Sequence, residues 1–474
     1  MTEFVHGATL GVWDDETRAR LHEATLTVLE KTGVEVHHDG ALKLLARAGA
    51  SIAGSRARIP AALVEEALQT APSRFDIKSR GTQDLMEMDA AHTYFGTGSD
   101  CLYVRDPESG LRRRALVADI HGMAALSELL PNIDFVMSMG LPEDVPQEVD
   151  DLAQFAAMLR GTRKPLLLSA RDGRILSAMQ EMAAACGEAQ SFGIYAMPAP
   201  PLSHEAEAVD KLITCGELGI PIVYASAPGA GATAPMSRAA VALSGNAETL
   251  SGLVIHQLAN PGAPFIYGVA QGALNMRSSV YLYCAPDAYA VQHACCDLAR
   301  HYDLPSFTLG GSSDSKVLDG QWAAETALTL VLGALSRATL VHDLGFLESG
   351  LQSSYEAIVF SDELVGYVRS FAAGVQVDEV TLALAEIEAV GPGGSYLSRR
   401  YTRQHARDYW QASLLDQWTH GHWEADGRRD LDERLRARVA ELRASDSPFA
   451  LSDDADRVIE QALAAAAAER DRRG

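Results

Sequence analysis

The sequence predicts an α/β protein built on a (β/α)8 TIM barrel, with an N-terminal helical cap and a C-terminal helical extension. Three observations lead there. From about residue 90 onward, short β-branched apolar runs alternate with helical stretches, the pattern of parallel strands joined by crossover helices. Small or polar residues close these runs, at Ser138, Ser169, Met197, Ser226, Tyr267 with Gly268, Gly310 with Gly311, and His342 with Asp343, where barrel active sites are assembled from βα loops. No GxGxxG turn follows a first strand and no GxxxxGK[ST] loop occurs, which weakens the open nucleotide-binding sheet that would give the same alternation.

Residues 1–90 read as the cap. From about Asp15 to Ala71 two amphipathic helices flank a short extended piece, with glycine stops in GVEVHHDGALKLLARAGA. ARIPAALVEEAL starts a helix with Pro60 near its first turn, where the missing N–H costs nothing, and RFDIKSRG follows as a strand. Residues 91–390 form the barrel. Seven strands are expected, beginning at Ile133, Lys164, Phe192, Pro221, Pro264, Pro305 and Thr339, each preceded by a helix such as EAEAVDKLITCGELG or AETLSGLVIHQLANPG. After Gly391 the pattern dissolves into GPGGSYLSRRYTRQHARDYW and then into polar helices, so residues 391–474 are expected to pack on the barrel or on another subunit.

Composition bounds the partners. Of 474 residues, 47% are hydrophobic and 22% charged, which excludes disordered and collagen-like chains. The net charge of −23 disfavours nucleic acid and leaves either a solubility device or a field that attracts cations or a basic protein partner. The six cysteines form no CxxC pair, which suits a reducing cytoplasm. The N-terminus lacks the basic and apolar regions of a signal peptide, and runs such as TALTLVLGAL are too short to cross a membrane. A symmetric homo-oligomer is the default for a large cytoplasmic enzyme.

The common catalytic signatures GxSxG and HExxH are absent. His293, Cys295 and Cys296 form an HACC group with no companion zinc ligands at standard spacing, and core packing is the expectation for it. Four stretches hold more polar groups than their surroundings justify. They are YFGTGSDCLYV, with Tyr94 and Asp100; YGVAQGALNMRSS, with Tyr267, Gln271 and Arg277; LGGSSDSKVLDGQWAAET, with Asp314, Lys316, Asp319 and Glu325; and LVHDLGFLESGLQSSYE, with His342, Glu348 and Tyr355. Carboxylates in the third stretch either line a site or cap a helix. His342, at a strand end among apolar residues, is the foremost site residue, with a satisfied core histidine as the alternative.

Read together, GNAETLSGLVIHQLANPGAPFIYG, LPSFTLGGSSDSKVLDGQWAAE, LVHDLGFLESGLQSSYE and VGPGGSYL resemble the trimethylamine methyltransferase superfamily, in order over most of the chain. The resemblance implies a (β/α)8 barrel that moves a methyl group from a methylated amine to the cobalt of a corrinoid held by a separate small protein. It points to the branch without pyrrolysine, whose substrates are quaternary amines such as glycine betaine. One departure stands near the tail, where Tyr401 and Thr402 occupy the place of an expected His-Thr pair.

On that reading no cofactor is bound tightly by this chain and no metal is expected in it. Tyr94, Phe95, Tyr267, Phe346 and Tyr355 are aromatic candidates for the N-methyl cation, because ring faces attract such groups. His342, Gln271 and Arg277, or backbone N–H groups, are candidates for a betaine carboxylate. His342 and Glu348 carry the catalytic assignment, with Asp100 and Glu348 as orienting groups or counter-charges to the ammonium. Two rivals share the barrel: a methyltransferase or demethylase with a pterin acceptor, and a non-catalytic quaternary-amine-binding protein.

Overall fold

Eight parallel strands follow one another in chain order in the computed structural model, which describes residues 10–473. Part of the stretch read for an export signal lies outside the described residues. The strands are β1 (Tyr94–Thr97), β2 (Val136–Met137), β3 (Leu166–Ser169), β4 (Phe192–Ala196), β5 (Ile222–Ser226), β6 (Phe265–Val269), β7 (Ser306–Leu309) and β8 (Leu340–Leu344). Each pairs with its successor from β2 to β8, and β8 pairs back onto β1 through Leu340 with Tyr94 and Val341 with Phe95. A bridge between Gly96 and Phe135 joins β1 to the start of β2 and completes the ring.

The crossover helices are α1 (Val117–Glu128), α2 (Asp150–Gly161), α3 (Leu176–Ala185), α4 (Ala206–Leu218), α5 (Arg238–Ala259), α6 (Pro286–His301), α7 (Gly320–Leu335) and α8 (Tyr355–Ala372). The expected barrel is therefore present, with one correction: the sequence shows seven strands, and the eighth is YFGT, read there only as a polar stretch. Its glycine obscures the strand pattern for a packing reason. A Cβ on Gly96 would lie 2.3 Å from Cε2 of Phe135, so only glycine lets that ring fill the barrel.

Strand alternation sorts the side chains. Tyr94, Phe135, Met137, Leu167, Val223, Ile266, Phe307 and Leu340 form one cluster inside the barrel, whereas Phe95, Val136, Leu166, Leu168, Tyr224, Tyr267 and Val341 join a second cluster under the helices. The strand expected at RFDIKSRG is Phe75–Lys78, and it forms a hairpin with Leu85–Met88. Ile77, Met86 and Met88 of this hairpin enter the interior cluster. Its backbone also bonds to residues just ahead of the strands, Lys78 N–H to the Gln190 carbonyl and Arg80 N–H to that of Arg163. The hairpin thus plugs the amino-terminal end, leaving the carboxyl-terminal end to hold a site.

Asp15–Thr27, Asp39–Ala48 and Ala61–Thr70 are the N-terminal helices; all three pack on α5, and Pro60 is the N-cap of the last. Val34–Val36 pairs in parallel with Ser203–His204 of the loop after β4. In the tail, Leu431–Arg443 packs on α8 and α1, and Asp453–Arg473 packs on α2 and α3, where Arg160 pairs with Asp456 and Glu460. Between α8 and these two, the helices Glu379–Leu382, Leu384–Val390, Arg400–His405 and His420–Ala425 bury no residue, and Val375, Leu384, Leu397 and Tyr409 stand exposed. No helix among the described residues is long and apolar enough to cross a membrane.

Candidate active site

The chemistry gathers where β8 ends. Its register against β1 slips between Val341 and Leu344, and Asp343 sits at φ 84°, a left-handed conformation that a non-glycine residue adopts at an energetic cost. Such an irregularity re-aims side chains. His342 turns inward and stacks on Phe307, with ring centroids 3.9 Å apart and an 18° interplanar angle, and lies 6.3 Å from the Tyr195 ring. Its Nδ1 is 2.8 Å from Oδ1 of Asp343. That contact lacks hydrogen-bond geometry, so both ring nitrogens and both Asp343 oxygens have no hydrogen-bond partner in the protein, although His342 is 3% exposed and Asp343 fully buried. Buried polar groups are nearly always paired, and a cluster of unpaired ones asks for a ligand.

Asp100 supplies the second carboxylate. It follows β1, also in the left-handed region at φ 59°, with its N–H donated to the Ser138 carbonyl at 2.7 Å. Ser169 Oγ, at the end of β3, donates to Asp100 Oδ2 at 3.2 Å, while Oδ1 has no partner. Burial raises the Asp100 pKa. Neither Asp100 nor Asp343 has a lysine or arginine within 4.0 Å among the described residues. Lys211, whose charge reaches Asp100, gives its Nζ to the Ala170 carbonyl at 2.7 Å.

Aromatic rings wall this acidic space. Tyr195 ends β4, and the loop after β6 returns through the hairpin Ala273–Leu274 and Tyr281–Leu282 to place Tyr281 and Tyr283 6.1 Å apart, edge to face. Tyr283 is 6.5 Å from Phe346, whose ring rests on Gly98 so closely that a Cβ there would lie 2.0 Å from its Cε1. Burial pushes the Tyr195 and Tyr283 phenols well up, and the charges of Asp343 and Asp100 add to both. Asp100, Ser169, Tyr195, Tyr281 and Tyr283 are half-buried, so solvent reaches this end of the barrel. Two carboxylates beside aromatic walls suit an organic cation.

Of the residues singled out from the sequence, the structure brings His342, Asp100 and Phe346 to this mouth. Glu348 stands at its rim in an ion pair with Arg112, Nε to Oε2 2.8 Å, and Arg112 in turn covers the Tyr103 ring. The others lie elsewhere. Tyr94 points into the barrel at its plugged end, where its hydroxyl accepts the Glu87 N–H at 2.9 Å. Phe95 faces outward beneath the Arg369 guanidinium. Tyr267 also faces outward and donates to Asn246 Oδ1 at 2.8 Å, and Gln271 packs against Gly245 of α5. Tyr355 opens α8 and donates to the Asp119 carbonyl at 3.3 Å, while Arg277 is exposed at the hairpin tip.

The cause is strand parity. Neighbours such as Tyr94 and Phe95 cannot share a face, and with Ile266 inside the barrel Tyr267 must face the helices. That signal was available in the sequence. Sequence reasoning misses Tyr195, Tyr281 and Tyr283 and reads Asp343 only as a strand-end residue. The tyrosines lie outside the four polar stretches, and two of them reach the mouth only because the hairpin folds back.

Two clusters of metal-ligating atoms stand apart from these residues, Glu87 with Asp89 and His92, and Cys284 with Asp314 and Glu325, each with its atoms within 4.8 Å of one another. The second lies beside a cavity of about 690 Å³. Its carboxylates already accept hydrogen bonds, Asp314 from the Tyr283 and Cys284 N–H groups and Ser349, Glu325 from Ser313 and the Asp314 N–H. They brace the loop that carries Tyr283. Asp319 caps α7 through the Trp322 N–H, and Cys295 and Cys296 are fully buried in the core.

The profile of the trimethylamine methyltransferase (MTTB) family matches residues 3–472. The chain is 29% identical to the glycine betaine methyltransferase of Desulfitobacterium hafniense (strain Y51) over 458 residues, covering 94% of this chain and 95% of that one. It is 27% identical to the trimethylamine methyltransferase of D. hafniense (strain DSM 10664 / DCB-2) over 458 residues, covering 95% and 92%. Among solved structures, the monomethylamine methyltransferase of Methanosarcina barkeri superposes with a TM-score of 0.53 at 11% identity, over 98% of this chain and 88% of that one, a likeness of fold.

Proposed function

The chain belongs to the trimethylamine methyltransferase family and is a methyltransferase, and from that premise we propose that it transfers an N-methyl group from a quaternary ammonium compound to a corrinoid carried by a partner protein. The observation that supports this reading most is that Asp100 and Asp343, beside Tyr195, Tyr283 and Phe346, keep three of their four carboxylate oxygens without a hydrogen-bond partner. The carboxylates balance the ammonium charge, and the ring faces take the N-methyl groups. His342, held flat on Phe307, sets one wall and presents an unpartnered nitrogen.

A quaternary nitrogen already bears its positive charge, so it departs as a neutral tertiary amine and no proton has to be delivered to it. The task left to this chain is to hold the substrate in one orientation, exclude water and leave one methyl facing outward. A reduced corrinoid supplies the nucleophile that takes the methyl. Access for such an acceptor is consistent with the open end of the barrel, whose loops expose Leu102, Met197, Met236, Met276 and Leu351. Exposed apolar groups around a mouth suit a docking partner. The Glu348 and Arg112 pair lies on the same rim and orients it. A homo-oligomer belongs to the same reading, supported by the unburied helices between 379 and 425 and their exposed apolar residues.

The test mixes purified protein, reduced corrinoid protein and a panel of quaternary amines, betaines included, and follows corrinoid methylation by absorbance and the demethylated amine by mass. Transfer from at least one amine is expected. Silence across the panel, or methylation of tetrahydrofolate directly instead of the corrinoid, refutes the proposal. His342→Ala is expected to lower turnover at least tenfold with melting retained, and unchanged turnover removes His342 from the site.

A further inference from the structure

We propose that the mouth selects an ammonium with net positive charge, a trimethylalkylammonium or tetraalkylammonium ion without a carboxylate, over a zwitterion such as glycine betaine. The inference rests on the quaternary-amine reading and narrows its substrate class. It comes from an inventory of charge. The mouth holds two carboxylates, Asp100 and Asp343, and three of their four oxygens, Asp100 Oδ1 and both of Asp343, have no hydrogen-bond partner.

The nearby lysines and arginines make their contacts away from these two carboxylates, although the charge of Lys211 reaches Asp100. Arg112 is held by Glu348 at the rim, Lys211 by the Ala170 carbonyl, and Lys316 by the Asp314 carbonyl. Arg277, the residue the sequence offers for a betaine carboxylate, is exposed at the hairpin tip, beyond the aromatic wall. Both Asp100 and Asp343 sit at positive φ, so the backbone itself is bent to present these carboxylates.

In glycine betaine a single methylene separates the carboxylate from the nitrogen. When its trimethylammonium is held beside Tyr195 and Tyr283, its carboxylate lies one methylene away, in the field of the Asp100 and Asp343 charges that reach both phenols, and like charges repel. Two groups can offer that carboxylate a hydrogen. One is His342, through its unpartnered nitrogens, and the other is Asp100 in its protonated form, which burial favours. Neither is a fixed cation. A protonated Asp100 would also give up half of the charge that holds the ammonium. Tetramethylammonium and choline present the same methyl groups without this conflict, and the net charge of −23 on the whole chain draws the same class of ion.

The experiment measures binding of tetramethylammonium, choline and glycine betaine to the full-length protein by titration calorimetry, with no corrinoid partner present. One of the two cations is expected to bind at least tenfold more tightly than glycine betaine. Asp343→Asn and, independently, Asp100→Asn are expected to weaken cation binding about tenfold or more and to shrink the preference to about threefold or less. Equal or tighter binding of glycine betaine to the unaltered protein overturns the proposal, as does absence of binding by all three compounds. A preference that survives in both folded variants also overturns it.

A parallel methyl-transfer assay separates the two readings. Methyl transfer that favours betaine keeps the methyltransferase reading and sinks the charge selection. Selective cation binding with no transfer from any amine does the reverse.

Discussion

Glu248 offers a quantitative test of how the barrel is held together. It lies on α5, fully buried, with Oε1 accepting the Leu202 N–H at 2.8 Å and Oε2 accepting from Ser226 Oγ at the end of β5. Burial pushes its pKa from 4.5 up to about 7, against the two hydrogen bonds that pull it down. A carboxyl whose folded value exceeds its unfolded value is stabilising when protonated, so its contribution is full below about pH 4.5 and is lost as pH rises through 7. The difference between those values amounts to about 3 kcal/mol. Glu248→Gln keeps both contacts, since its amide can accept from Leu202 and donate to Ser226, and it never ionises. The variant is therefore expected to exceed the parent by about 2–3 kcal/mol at pH 8 and by about 1 kcal/mol or less at pH 5. At about 2.1 cal/mol/K per residue, that is a rise in Tm of about 2–3 °C for a chain of this length at the higher pH. Thermal melts at pH 5, 6.5 and 8 read it directly. A variant no more stable than the parent at pH 8, or an advantage that does not shrink as pH falls, refutes the reasoning.

Gly98→Ala places a methyl group 2.0 Å from the Phe346 ring, and overpacking of this kind costs about 1–3 kcal/mol. It is expected to lower Tm and to weaken tetramethylammonium binding as Phe346 is displaced, and calorimetry showing unchanged affinity would remove Phe346 from the wall. The exposed apolar residues between 375 and 425 lead to a further expectation, that light scattering at micromolar concentration reports a dimer or larger assembly. Val375→Asp combined with Leu384→Asp should dissociate it, and a monomeric parent would refute this use of the surface.

The order of elements was determined by the sequence alone. Seven of the eight strands, the helices between them and the location of His342 at a strand end follow from periodicity and turn chemistry, which are local properties of the chain. The residues that look alike in sequence were separated only in three dimensions. Tyr94, Tyr267 and Tyr355 each stand beside glycines or polar groups, as Tyr195 and Tyr283 do not, yet strand parity sends Tyr94 into the barrel at its plugged end and Tyr267 to the helix layer, and Tyr355 opens α8 on that same layer. The acidic character of the mouth was likewise a tertiary decision. It needs the slipped register of β8, which brings Asp343 beside His342, and the return of the loop after β6, which sets Tyr283 over a space that Asp100 enters from β1. Pairings between residues far apart in the chain depend on ring closure and on which face of each strand is buried, and neither is encoded in any single segment.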